Sequence, residues 1–419
     1  MAKFRQSLIA LLVIGGAIAT AALGNPPQSG AALWRWFANV PNPSQARADG
    51  LTTHFLVVAG GGAPSYNEIA LEKNVRYFQR TLAWMGLDQA PTDIFFANGD
   101  SGEATVRYVD RLGREQFKVP DIPALTGAAT FENVHRWIQT APERPEGAAD
   151  CPTFFYFTGH GYLNPEDAGN NDLILWEESL VSVQQLARWL DQWPAEMPFV
   201  TMMAQCFSGS FANLIYEGGD PEQPVALQTR CGFFATVETR PSVGCTPLVD
   251  EADYEDYSSS FFAGLSGRDR VGNRVPSADY DQDGQITFAE AHAFAKVDEV
   301  TPDWPISTSE AWLQRQASEA EVLDILAQPI ETWYDLARPE QRHVIDGLSD
   351  RLGYDRDRSL IDNTPFSSRA GVHQVQRAYH MRLRMELINV AVERRLRSDN
   401  DFDALSILGK LLACEAGTW

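Results

Sequence analysis

From residue 52 onward the chain alternates between short apolar runs and stretches in which apolar residues recur every three or four positions. Residues 53–59 are almost wholly apolar and lead into Gly60-Gly61-Gly62, which predicts a strand buried on both faces. Leu71, Val75, Phe78, Leu82 and Met85 then recur at the spacing of one helical face. The same reading predicts strands at 93–97, 153–158, 199–204 and 232–237, with helices at 131–140 and 183–193 between them. Alternating strands and helices imply βαβ units: a mostly parallel sheet with helices on both faces. Ligands of such sheets bind outside the carboxyl ends of strands. The residues that follow the third, fourth and fifth strands therefore matter most.

Past residue 307 the strand-like runs stop, and an Arg-rich helix is expected over 372–397. The α/β domain is placed at 52–300 and a C-terminal helical region at 307–419, with a junction between Pro302 and Pro305. At the N-terminus, Lys3 and Arg5 precede an apolar stretch over 8–23, and Gly24-Asn25-Pro26-Pro27 ends it. This is the layout of a secretory signal over 1–24, with Ala19-Thr20-Ala21 as the cleavage site. The stretch falls short of the ~20 apolar residues of a comfortable span, so membrane contact is expected only through an uncleaved anchor. The protein is accordingly expected to be exported, periplasmic or secreted.

At 419 residues, with 44% hydrophobic and 21% charged positions, the chain has the composition of a globular protein. A net charge of -22 argues against a nucleic-acid partner and is compatible with cations. The five cysteines leave at least one thiol unpaired or shared between chains. Cys231 with Cys245 closes a short loop and is the favoured pairing; a fully reduced set is the alternative.

Two strands carry the chemistry. The third ends Tyr156-Phe157-Thr158-Gly159-His160-Gly161, and the fourth runs Met202-Met203-Ala204-Gln205-Cys206 into Phe207-Ser208-Gly209-Ser210. If these strands are neighbours, His160 and Cys206 meet at one edge, where an imidazole can serve a nucleophilic thiol as base or acid. Gly161 permits close approach, so its N–H and that of Cys206 form an expected oxyanion site. A helix opening at Ser208-Gly209-Ser210 is expected to lower the thiol's pKa. A lone buried Cys or His is usually inert. Two of them directly after buried strands, each near glycine, weigh towards catalysis.

Those segments resemble the caspase/legumain clan of cysteine peptidases, and legumains most. Legumains carry a similar Cys-x-Ser-Gly-Ser, and residues 234–245 are similar to the legumain segment that walls the first specificity pocket. The resemblance covers roughly residues 52–265. It implies a caspase-like fold, a His160–Cys206 dyad, and hydrolysis of a peptide or protein substrate. It also places Thr236, Glu238 and Asp256 at the substrate pocket. Two departures stand out: no Asn follows the first strand to orient the histidine, and Tyr66-Asn67-Glu68-Ile69 lacks the Arg that helps recognise Asn in substrates. Glu238, Asp253, Glu255 and Asp256 make an acidic neighbourhood that points instead to basic side chains before the scissile bond.

Residues 279–290 match the twelve-residue EF-hand loop. Asp279, Asp281 and Asp283 are the expected side-chain ligands for Ca2+, Gln285 a carbonyl ligand, Thr287 a direct or water-mediated one, and Glu290 a bidentate one. Gly272 and Pro276 exclude an entering helix, so a single structural loop is expected. Two other readings compete with a peptidase: a catalytically silent caspase-like calcium-binding interaction module, and a transpeptidase using the same dyad. The helical C-terminus is read either as a lid over the cleft or as a buttress completing the fold.

Overall fold

The computed structural model describes residues 53–143, 151–363 and 374–419; the signal expected at 1–24 lies outside them. Among the described residues no helix is long and apolar enough to cross a membrane. The central strands are apolar at nearly every position because alternate residues enter two different cores. In β1 (His54–Gly60), Phe55, Val57 and Ala59 face one layer while Leu56 and Val58 face the other. The same division sends Phe154 and Tyr156 of β5 (Thr153–Tyr162) to the first layer and Phe155 and Phe157 to the second.

The first layer is covered by α1 (Ile69–Trp84), α4 (Tyr257–Ser266) and α5 (Phe288–Asp298). The second is covered by α2 (Phe131–Thr140) and α3 (Val183–Leu190). The fold is mixed α/β, with a mostly parallel central sheet, helices around it, and a C-terminal helical region. Strand order is β10 (Ile306–Ser307), β9 (Arg230–Phe234), β8 (Phe199–Met203), β5, β1, β2 (Thr92–Phe96). Only β10 runs antiparallel along this path. A two-stranded ribbon, β3 (Val106–Val109) with β4 (Glu115–Lys118), stands apart. The chain steps from β1 to β2 on one side, then crosses back to β5 on the other, so connections diverge outside the carboxyl ends of β1 and β5. Such a switch point opens a crevice.

Two strand ends differ from expectation for reasons that shape this crevice. β5 continues through His160 to Tyr162, because β6 (Asp172–Ile174) and β7 (Leu180–Ser182) form a hairpin that pairs with its last residues. β9 stops at Phe234, because the following residues turn away to pack under Gly209, where a Cβ would lie 2.7 Å from the Val237 Cα.

The C-terminal helices are built into the same body. Trp419 is buried, its ring 5.0 Å from Phe154, 5.2 Å from Phe55 and 5.6 Å from Phe78 between centroids. Cys231 is bonded to Cys414 of α12 (Phe402–Glu415), which corrects the expected Cys231–Cys245 pair. Cys231 lies near the start of β9, whereas Cys245 sits at the opposite, carboxyl edge of the sheet against the Gly159 carbonyl. Lys296 of α5 pairs with Glu310 of α6 (Thr308–Arg315) at 2.6 Å and also with Glu386 of α11 (Gln374–Asp399).

Candidate active site

Register decides what meets at the crevice. Phe157 of β5 pairs with Met203, the last residue of β8; three residues on, His160 is still in β5 while Cys206 lies just past the end of β8. A Cβ on Gly161 would lie 2.0 Å from the Cys206 carbonyl oxygen, so only glycine lets the two segments lie in contact.

The loop after β1 supplies what sequence reading did not find. A Cβ on Gly61 would lie 1.9 Å from the Tyr66 carbonyl oxygen, and the Gly61 N–H donates to the buried Asn67 side chain at 3.0 Å. The loop so folded back aims two acceptors at His160. Its Nε2 lies 2.9 Å from the Tyr66 carbonyl and 3.0 Å from Glu68 Oε2. Glu68 Oε1 accepts from Arg107 of β3 at 2.7 Å. Glu68 stands at the N-cap of α1, where Ser, Thr, Asp or Asn is preferred; it makes no cap hydrogen bond and turns to the histidine instead. Burial pushes the Glu68 carboxyl up, but the hydrogen bonds from His160 and Arg107 outweigh it and hold the group below its usual value. For His160, burial favours the neutral ring; hydrogen bonds to Cys245 and Glu68 prevail and lift it to about 10.

Cys206 lies on a sharp turn. Phe207 adopts a left-handed conformation with φ of 60°, strained for a bulky side chain, and Ser208–Ile215 forms a three-ten helix rather than an α-helix. The Cys206 sulfur accepts from the Ser242 N–H at 3.3 Å and donates to the Ser242 carbonyl at 3.5 Å. Burial pushes its thiol up, only partly opposed by the Ser242 contact. The expected lowering by a helix N-terminus is thus corrected: desolvation wins. Among the described residues no hydrogen bond joins Cys206 to His160. Instead a third side chain, Cys245, is exposed beside the histidine. Nothing in the spacing of Cys245 predicted this.

Of the three expected pocket residues, two are buried in packing and one is half-buried. Thr236 is fully buried and its backbone brackets the Ser208 hydroxyl, at 3.3 Å from the N–H and 3.4 Å from the carbonyl. Asp256 caps α4 at Ser259 and pairs with buried Arg270, so it too is withdrawn from any substrate. Glu238 is half-buried, its carbonyl held by Asn171 at 2.8 Å. A cavity of about 310 Å³ lies alongside the 243–248 segment; its acidic lining comes from Asp250, Asp253 and Glu255.

In the 279–290 loop the carboxylate oxygens of Asp279, Asp281 and Asp283 lie within 4.8 Å of one another, and Gly284 makes the turn with φ of +88°. Asp279 Oδ1 is buried with no partner, an orphaned acceptor of the kind a hard cation satisfies. The three aspartates therefore fit Ca2+. Glu290 is arranged differently from expectation: Oε1 accepts from the Tyr280 N–H and Oε2 from the Thr287 N–H, both at 2.8 Å. Thr287 caps α5 in return, and Gln285 donates its N–H to Asp283 at 2.8 Å. No helix enters the loop, since α4 ends at Ser266.

No family model and no curated protein matches this chain. Among solved structures it is similar to protein GSU0716 from Geobacter sulfurreducens, at 12% identity and a TM-score of 0.36, over 61% of this chain and 92% of that one. So slight a likeness says nothing of function.

Proposed function

We propose that this chain is an exported cysteine endopeptidase of the caspase/legumain-like kind. The observation that carries the reading is the pairing of β5 with β8, beyond which Gly161, the neighbour of His160, lies directly against the Cys206 carbonyl. His160 takes up the thiol proton as the Cys206 sulfur attacks the peptide carbonyl carbon, the C–N bond breaks, and His160 passes that proton to the departing amine. Water then cleaves the thioester to release the acid and regenerate the thiol. Glu68 orients the imidazole and stabilises its charged form, the part the resembled family gives to another residue. The acidic cavity supports basic side chains before the scissile bond. The Cys231–Cys414 disulfide supports an oxidising compartment.

The test is labelling with peptide acyloxymethyl ketones bearing Arg, Lys, Asn or Asp before the warhead, read by mass spectrometry. An adduct on Cys206, fastest with Arg or Lys and absent in His160→Ala, is expected. No adduct with any warhead at several pH values would replace this reading by the silent binding module.

Calcium held by Asp279, Asp281 and Asp283 would brace the start of α5. Calcium at about a hundred times its dissociation constant should stabilise the fold by about 2.7 kcal/mol, a rise of a few degrees in melting temperature. Asp279→Ala with Asp281→Ala should remove the rise. A melting curve indifferent to calcium would remove the cation from this account.

A further inference from the structure

The geometry points to a zinc site at the crevice, formed by Glu68, His160 and Cys245, in which Zn2+ occludes the histidine. Cys206 takes no part in it. This inference goes beyond the peptidase reading and does not depend on it, because it stands on the placement of three donors. A carboxylate oxygen of Glu68, an imidazole nitrogen of His160 and the sulfur of Cys245 all lie within 4.8 Å of one another. They come from three separate segments: the loop after β1, the end of β5, and the stretch after β9.

The donor set selects the metal. A thiolate, an imidazole and a carboxylate suit a borderline-soft cation with tetrahedral preference; Ca2+ and Mg2+ favour all-oxygen sets. Around zinc such donors sit roughly 3.3–3.6 Å apart. The Glu68–His160 contact, at 3.0 Å, is already that close. Cys245 is exposed, its sulfur already beside His160 and in a 3.7 Å contact with the Gly159 carbonyl, so a side-chain rotation can close the triangle. Exposure on that side leaves the fourth position open to water.

The support behind the first ligand is also in place. Glu68 has two oxygens with different tasks: Oε2 faces His160, while Oε1 accepts from Arg107 at 2.7 Å. A metal bound by Oε2 alone leaves the Arg107 contact intact, and outer partners of this kind fix a carboxylate's direction. Cys206 is held away from the triangle by its two contacts to the Ser242 backbone.

The aspartate loop and this triangle separate by cation hardness, so they can be tested in one protein. With calcium saturating, Zn2+ is titrated into the full chain against a chromophoric chelator. One Zn2+ per chain is expected. Cys245→Ala and His160→Ala should each weaken binding at least about a hundredfold, and Arg107→Gln about tenfold to a hundredfold. Cys206→Ala should leave it unchanged. In the unaltered protein, Zn2+ should protect Cys245 from iodoacetamide, a readout that needs no variant to fold. Zinc retained in Cys245→Ala, zinc lost in Cys206→Ala, or no protection of Cys245 would each overturn the proposal. Absence of peptidase activity would leave it intact, since none of these readouts uses substrate.

Discussion

A chain cut before Cys414 is expected not to fold, rather than to gain activity as it would if its helical C-terminus were a lid. The Cys231–Cys414 bond spans 183 residues, and closing so long a loop is worth about 5 kcal/mol in the chain-entropy view. Trp419 fills the core beneath β1 and β5, and losing a buried aromatic of this size costs about 3–5 kcal/mol. Together these approach or exceed the ~5–15 kcal/mol by which most domains are stable. The helical region also reaches the crevice. Buried Arg382 of α11 donates to the carbonyls of Lys296, Glu299, Thr301 and Asp303, and Asp303 in turn accepts from the Val243 N–H at 3.1 Å. Next to Val243 is Ser242, whose backbone holds the Cys206 sulfur. Urea denaturation of Trp419→Ala and Cys414→Ala should show lower midpoints for each. A truncated chain that unfolds cooperatively and cleaves faster than the full chain would restore the lid.

Glu68→Gln is expected to lower kcat on a peptide substrate by about 10²- to 10⁴-fold with KM little changed. In the proposed mechanism the carboxylate touches no substrate and acts through His160, to which it is hydrogen-bonded and whose charged form it favours. A glutamine keeps the size and can keep an oxygen for Arg107, but it lacks the charge that balances an imidazolium. The split between kcat and KM separates this positioning role from a structural one, since a disordered crevice would raise KM as well. The melting temperature of the variant should stay within a few degrees of the parent. If kcat is unchanged, Glu68 is merely the partner of Arg107.

Much of this was legible along the chain. The buried strands, the helical face from Leu71 to Leu82, the helix at 131–140 and the turn at Gly284 are local patterns of side-chain period and backbone permission. The same logic marked His160 and Cys206, because a reactive residue after a buried strand lies at a sheet edge whatever its neighbours are.

The partners of those residues were not legible. Glu68 and His160 stand 92 positions apart, and Cys231 and Cys414 stand 183 apart. No periodicity spans such distances. Asp256 and Thr236 read as pocket residues until the packing of Arg270 and Ser208 claimed them. Local pattern determined which segments become strands and helices and which residues end them, because that depends on period and steric freedom within a few positions. Which side chains share a hydrogen bond, a disulfide or a buried charge depends on strand order and register, and only the tertiary structure decided that.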